Sequence, residues 1–436
     1  MNILDRIVSN PGALGQWSKQ AYGYFMFPKL EGDIGPKMSF RGKEVLNWGM
    51  NNYFGLASNP EIREKEVGWV SQYGLSHPMG SRLMTGNTFL HEELEERIAD
   101  FVKKEDAFVL NSFYQGMISV IDSLCGRNDV IVYNSEAHSS IHDGIRLQLS
   151  HRFAYHKNDI EVIETQLKKA AEMAKESGGG VLLVTEGVIG VTGEFSPLDK
   201  IAALKEKYDF MLVVEDAHGF GTVGPNGIGV ADHFDVLDKV DLLVGTLGKA
   251  LSISGGFVAG SEDVINFLRY NMRSQTFSEA LPSAITASAI ARLDYLVKHP
   301  ELRKTLWEIT NALQKGLRKN GLDIGNTQSP VTPVYLNVEN MQEAIHTMMH
   351  MREEFGIFCV NLIYPYIEQG KVMVRLIPTT QHTMKDVEYT IESLSTICEN
   401  AKNGMYKDST PIIASPSAKD KDDEAGILIP ALFSLP

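Results

Sequence analysis

Three stretches of this chain carry residue types that could do chemistry, and each follows a short apolar run. Val213-Val214 leads into Glu215-Asp216-Ala217-His218. A carboxylate just past a buried strand is costly unless it pairs with a cation; a capping role for Asp216 is the plain alternative. Leu242–Val244 leads into Gly245-Thr246-Leu247-Gly248-Lys249-Ala250, with Ser252, Gly255 and Gly256 close behind. Lysine ordinarily seeks solvent. Set among small residues, where a ligand can approach the backbone closely, Lys249 can serve as a Schiff-base nucleophile; a surface lysine is the plain alternative. Val130–Tyr133 leads into Asn134-Ser135-Glu136-Ala137-His138. His138 is either a flat stacking group, an acid or base, or a structural loop histidine.

Together these residues say more than any one of them. An Asp at one strand end, a Lys 33 positions later at another and an upstream His form a known chemical set. Pyridoxal phosphate needs a lysine for covalent attachment, a carboxylate to keep its pyridine nitrogen protonated, a group stacked on its ring, and donors for its phosphate. Ser112, Phe113 and Tyr114 follow the run Ala107–Leu110 at an expected helix N-terminus, where backbone N–H groups favour an anion. Thr246, three residues before Lys249, could reach the same phosphate. The stretch Gly219-Phe220-Gly221-Thr222-Val223-Gly224 matches GxGxxG in letters only. Pro225-Asn226-Gly227 stands where a dinucleotide site needs a helix to open, so nicotinamide or flavin binding is not expected.

The elements that must position these residues are legible as a rhythm. The apolar runs Ala107–Leu110, Val130–Tyr133, Val181–Thr185, Met211–Val214, Leu242–Val244 and Phe257–Ala259 are mostly separated by segments long enough for a helix. Residues 89–103 place Leu90, Leu94, Ile98 and Phe101 on one helical face. This pattern predicts an α/β domain with a mostly parallel sheet covered by helices, whose ligands sit at the carboxyl ends of the strands. Beyond residue 295 come a helical pattern (302–319), a run (331–338), a helix (342–354), a strand (372–377) and a closing helix (384–400), which predict a smaller C-terminal α+β domain. The expected divisions are an N-terminal arm (1–45), a large domain (46–295), a small domain (296–402) and a flexible tail (403–436) that is polar and then ends in the apolar GILIPALFSLP.

With 41 basic and 55 acidic residues, the net charge of −14 argues against nucleic acid as the main partner. Three cysteines without paired spacing give no metal site and suit a reducing compartment. No secretory leader and no membrane-spanning run are visible. The expected location is the cytoplasm, with the inner membrane surface as the alternative, since the apolar tail could touch a membrane.

Across roughly residues 40–395 the chain resembles the α-oxoamine synthases, fold-type-I pyridoxal phosphate enzymes. The motifs that carry the resemblance are Asn51-Asn52-Tyr53-Phe54-Gly55-Leu56, Gly80-Ser81-Arg82, Thr85-Gly86-Asn87, His91 with Leu94-Glu95, His138 with Asp143-Gly144, Asp216-Ala217-His218-Gly219, Gly245-Thr246 with Lys249, Gly255-Gly256-Phe257, and Arg375. The resemblance implies that Lys249 attaches the cofactor and moves the proton at the substrate Cα. Asp216 would pair with the pyridine nitrogen, His138 would stack on the ring, and His218 would bond the ring hydroxyl. Thr246 and Ser112–Tyr114 would hold the phosphate, and Ser278 would reach the phosphate of a neighbouring subunit. Asn51 and Arg375 would hold the amino-acid carboxylate, a task suited to a bidentate guanidinium. It further implies a homodimer with shared sites and a decarboxylative Claisen condensation between a small amino acid and an acyl thioester.

Within that family the chain is most similar to the lipid-making branch. Serine palmitoyltransferases of the branch usually read GTFSKS where this chain reads GTLGKA, so Gly248 removes a hydroxyl near the phosphate. The segments HPMGSRLMTGNT, Tyr114-Gln115-Gly116-Met117 and Tyr270–Gln275 resemble instead the cysteate fatty-acyltransferases of sulfonolipid synthesis. L-cysteate is therefore the expected amino acid, with L-serine next, and the acyl donor is a long-chain thioester of coenzyme A or of acyl carrier protein. His77, Ser81 and Arg82 are candidate sulfonate ligands. An 8-amino-7-oxononanoate synthase or 2-amino-3-ketobutyrate CoA ligase, an aminotransferase or β-lyase on the same fold, and a non-catalytic partner subunit are the alternatives. The retained Lys249 weighs against the last.

Overall fold

The structure is a computed structural model. It describes residues 2–407 apart from 337, 339, 340, 364–366, 369 and 370, so the apolar end of the expected tail lies outside the described residues. The chain forms two compact units: residues 51–307 with 326–331, and residues 1–50 with 308–325 and 332 onward.

The larger unit is built on a seven-stranded sheet. Its strands are β1 (Asp106–Leu110), β2 (Val130–Asn134), β3 (His151–Tyr155), β4 (Val181–Glu186), β5 (Met211–Glu215), β6 (Leu242–Thr246) and β7 (Gly256–Gly260). Their spatial order is β1-β7-β6-β5-β4-β2-β3. Only β7 runs antiparallel to its neighbours. Every residue of β4, β6 and β7 is buried, which is why these strands read as continuous apolar runs rather than alternating ones. β3 is the strand that the apolar runs do not reveal. It lies at the sheet edge, its sequence is HRFAY, and only Tyr155 of it is buried.

Two helices matter for the site: α1 (Phe113–Leu124) after β1, and α2 (Ser139–Leu147) after β2. Met117, Val120 and Ile121 of α1 and Ile141 and Ile145 of α2 share one core with Phe108, Leu110, Ile131, Leu182, Val184, Val213, Leu242, Val244 and Val258. Each such fully buried aliphatic side chain contributes about 1.5–3 kcal/mol. The strand members of this core are alternate residues, so they define one face of the sheet.

In the smaller unit, Thr332–Leu336, Val372–Leu376 and Val360–Leu362 form an antiparallel sheet; the unit also holds residues 308–319 of the helix Glu301–Lys319 and the helices Met341–Glu353 and Met384–Lys402. The first 50 residues are part of this unit. The strand Lys43–Asn47 pairs in parallel with Ile357–Phe358. The buried guanidinium of Arg352 sits over the rings of Tyr24, Phe25, Phe40 and Phe358 and donates to the Tyr24 carbonyl, so the expected arm is tied to C-terminal residues by cation–π contacts. Past the closing helix Tyr406 is buried, with its Oη bonded to His350 Nδ1 at 2.7 Å. Among the described residues, no helix is long and apolar enough to cross a membrane.

Candidate active site

Strand parity sorts the candidate residues. On β4, Leu182 and Val184 face the shared core, so Glu186 ends the strand on that face; on β5 Val213 does the same for Glu215, and on β6 Leu242 and Val244 for Thr246. This is the face on which α1 and α2 begin. Glu186, Glu215, Thr246 and the starts of both helices therefore converge at the carboxyl ends of the strands, where ligands of such sheets bind.

Lys249 follows β6 in a turn held by Ile253 N–H to Leu247 O and Ser252 N–H to Lys249 O. Its charge acts on both Glu186 and His138. His138 caps α2: its Nδ1 accepts from the Ser140 backbone N–H at 3.3 Å and pairs with Ser140 Oγ at 2.8 Å. That leaves the ring proton on Nε2. Burial first, and the charge of Lys249 as well, depress the His138 pKa, while Glu215 opposes them. The imidazole is thus a neutral plate at neutral pH, flanked by the rings of Tyr114 at 5.7 Å and Phe113 at 6.3 Å.

The start of α1 offers donors. Its first intrahelical bond runs from Gly116 N–H to Ser112 O, and Ser112 makes no side-chain cap. The N–H groups of Phe113, Tyr114 and Gln115 therefore head the helix as an anion site. Gly256 lets β7 pass tightly beside it, since a Cβ there would lie 3.1 Å from Phe113 Cα. Thr246 is buried, with Oγ1 accepting from Gly248 N–H at 3.1 Å. His218 is buried and its Nδ1 pairs with Tyr53 Oη at 2.8 Å.

Asp216 departs from the expectation. It stands one residue beyond Glu215 and so points to the other side of the sheet. Its carboxylate accepts from Val230 N–H at 2.6 Å and Val188 N–H at 3.2 Å, and Gly187, Gly219 and Gly229 close around it. A Cβ at any of these three glycines would come within 2.1–2.3 Å of its carboxyl atoms. Burial pushes its pKa up to about 7 against the pull of those N–H groups. Glu186 and Glu215, which the sequence reading did not single out, are buried in register at the strand ends on the face of Thr246. The signal that finds them is parity: counting in twos from the core residues Val184 and Val213 lands on each.

Arg82 departs as well. Its guanidinium is buried against Glu95 at 2.8 Å through Nη2 and donates to Asn87 through Nε, so two of its three nitrogens are spent within the fold, while Nη1 is buried without a hydrogen-bond partner. Ser81 is half-buried in the tight turn that Arg82 leaves, with its carbonyl accepting from Gly86 N–H at 2.8 Å. His77 pairs with Ser283 Oγ at 2.9 Å. Asn51 holds a buried Oδ1 that has no hydrogen-bond partner. Ser278 is half-buried next to the exposed ring of Phe277. Arg375 lies on the Val372–Leu376 strand of the smaller unit.

A lysine and a neutral imidazole that share an electrostatic field with buried carboxylates, beside an uncapped helix start, are the donor set that a phosphorylated pyridine aldehyde requires. The chain belongs to the aminotransferase class I and II family, whose model matches residues 43–394, and within it to the lipid branch of the α-oxoamine synthases, with pyridoxal phosphate as cofactor. The chain is similar to a cysteate-C-fatty acyltransferase of Capnocytophaga ochracea, at 46% identity over 93% of this chain and 96% of that one. A serine palmitoyltransferase of Sphingobacterium spiritivorum is 33% identical over 88% of this chain and 94% of its own. Among solved structures, a Sphingomonas wittichii serine palmitoyltransferase superposes with a TM-score of 0.83 at 26% identity, covering 93% of this chain and all of that one.

Proposed function

We propose that this chain condenses a long-chain acyl thioester with L-cysteate, releasing CO₂ and the free thiol and forming a 3-keto sulfonolipid base. The observation that carries the choice of amino acid is the 46% identity to a cysteate-C-fatty acyltransferase across nearly the whole chain, against 33% to a serine palmitoyltransferase. Bound here, pyridoxal phosphate supplies an electron sink for the charge left at the amino acid's Cα.

The chain's own residues do the rest. Lys249 attaches the cofactor and moves the proton at Cα. Thr246 and the N–H groups at the start of α1 hold the phosphate. His138, neutral and fixed by Ser140, stacks on the ring, and His218, oriented by Tyr53, bonds the ring hydroxyl. Asn51 and Arg375 receive the amino-acid carboxylate: Asn51 donates its side-chain amide N–H to it, and its buried, unpartnered Oδ1 is left to accept from an N–H or O–H of the ligand. A second copy of the chain completes the site. The exposed side chains of Met79, Met84, Phe89 and Phe277 support such an interface, because a lone chain would leave them in water. The acyl donor is a coenzyme A or acyl carrier protein thioester.

The test is a product assay on purified, cofactor-loaded protein with a long-chain acyl thioester and, separately, L-cysteate, L-serine, L-alanine or glycine. Saturable CO₂ release with cysteate, at a kcat/KM at least tenfold above serine, is expected. A preference for serine would make the chain a sphingoid-base synthase instead. Thioester-independent chemistry would overturn the condensation.

A further inference from the structure

Ser252, three residues past Lys249, has a φ of +53° and so stands in the left-handed region that favours glycine. Another residue persists there only where its surroundings over-determine the backbone. Three anchors do so. The carbonyls of Leu251 and Ser252 accept from Arg292 Nη1, at 3.0 and 3.4 Å. Ser252 Oγ donates to Asn52 Oδ1 at 2.7 Å, and that oxygen is fixed by the Ala57 N–H at 3.2 Å. Ala250 lies against Gly221, where a Cβ would come within 2.5 Å of the Ala250 Cβ. This close approach gives a packing use to a glycine of the stretch that matches GxGxxG in letters only. Ser252 N–H donates in turn to Lys249 O at 3.1 Å, which ties all three anchors to the lysine's own peptide.

Arg292 is the strongest of these anchors. It lies on the helix Ser283–Lys298 and is 4% exposed. Its Nη2 pairs at 2.7 Å with Glu66 of the helix Pro60–Tyr73, and its Nε donates to Ser288 Oγ at 3.0 Å. A buried charge is costly unless it is paired and hydrogen-bonded. This one is spent on a carboxylate, a hydroxyl and the two carbonyls of the lysine turn, and its charge makes those bonds stronger than neutral ones. We propose that Arg292, together with Ser252 and Asn52, aims Lys249 by holding residues 249–252 in one conformation. The ε-amine then meets the cofactor's aldehyde carbon, bonds to it, and the aldehyde oxygen leaves as water. This rests on the reading that pyridoxal phosphate attaches at Lys249. Lysine is a point charge on a flexible four-carbon stem, so a fixed root narrows the volume that its amine samples. Arg292, Ser252 and Asn52 are positioning residues, since each acts through Lys249.

The test titrates the full-length chain with two ligands and needs no turnover. Pyridoxal phosphate can bond to Lys249; pyridoxamine phosphate offers the same ring and phosphate without the aldehyde. Wild type is expected to bind the aldehyde form more tightly. R292M is expected to weaken pyridoxal phosphate about tenfold to a hundredfold, the scale of one lost charge-assisted hydrogen bond, and to leave pyridoxamine phosphate within about twofold. S252A, which loses a neutral hydrogen bond, is expected to show the same selective loss at about threefold to tenfold. R292K, which keeps the charge, should recover most of the loss. A merely structural role would weaken both ligands alike. Selective loss in either variant supports the assignment, and its absence from both overturns it. Should R292M not fold, S252A alone decides, its hydroxyl being half-buried and neutral. The underlying reading is judged on wild type: equal affinity for the two ligands there would mean that Lys249 does not attach the cofactor.

Discussion

Arg82 and Glu95 form a buried ion pair in the larger unit, 2.8 Å apart with side chains 7% and 5% exposed. Glu95 also accepts from Val109 N–H at 2.8 Å, which ties the helix Phe89–Val102 to β1, and the guanidinium lies 5.0 Å over the Phe108 ring. Burial raises the Glu95 pKa, and Arg82 is the main influence that lowers it again. R82A would leave that carboxylate in a dry site with only the more distant Arg269, at 3.7 Å, to answer it. A loss of about 3–5 kcal/mol is expected in urea unfolding, with the double variant R82M/E95M recovering much of it. The KM for the amino acid should stay within about threefold. A rise in that KM without loss of stability would return Arg82 to the substrate.

In the proposed function, Lys249 is the residue on which the chemistry turns. K249A should abolish the visible absorption of the cofactor-loaded protein and lower turnover by about four orders of magnitude, since it removes both covalent attachment and proton transfer at Cα, the latter alone contributing 10²–10⁴-fold. The far-ultraviolet circular dichroism should not change. Turnover within tenfold of wild type would remove Lys249 from the reaction.

Much of this was legible in the sequence. Six apolar runs became six of the seven strands because strands buried on both faces have no polar face to betray their period. The exception, His151–Tyr155, lies at the edge, where one apolar anchor suffices. Lys249, Thr246 and His138 stood out as candidates because each ends or follows a buried strand, and the structure places all three at or just past strand ends. The placement of Asp216 was not legible: Glu215 and Asp216 are adjacent in sequence but on opposite faces of the sheet, and only the identity of the facing core tells which face each of them joins. The ion pair of Arg82 was hidden for a related reason. Its partner Glu95 is 13 positions away, and nothing in the spacing announces the pairing.

The glycine cage around Asp216 gives a sharp steric prediction. At Gly187 a Cβ would stand 2.3 Å from Asp216 Cγ, so G187A must displace the carboxylate or part β4 from β5. A loss of about 1–3 kcal/mol or more in urea unfolding is expected. In G187A/D216G the clash is gone, and the added penalty of G187A should fall well below its value in the wild-type background. Equal penalties in both backgrounds would show that Asp216 is not what fills the space.

Two buried histidines are expected to weaken the fold in acid. His91 donates from Nε2 to Leu281 O at 2.8 Å, and His382 stacks on Trp48 with ring centroids 3.7 Å apart and donates from Nε2 to Asn47 O. Burial pushes the pKa of each down to about 4. The unfolded chain takes up a proton near 6.5 that the native histidine refuses, so stability is full above pH 6.5 and is lost as pH falls from there toward 4. At pH 5 the loss is about 2 kcal/mol per histidine. Asp216 works in the other direction: its folded pKa is raised to about 7, so its share of stability is present at low pH and is lost as pH rises through 7. H91Q and H382Q should each be less stable than wild type at pH 7.5, since each gives up a fitted ring. Each should also lose less on going from pH 6.5 to pH 4.5, because glutamine does not titrate. Urea unfolding across that range checks both statements, and an unaltered slope in both variants would show that other groups set the acid limit.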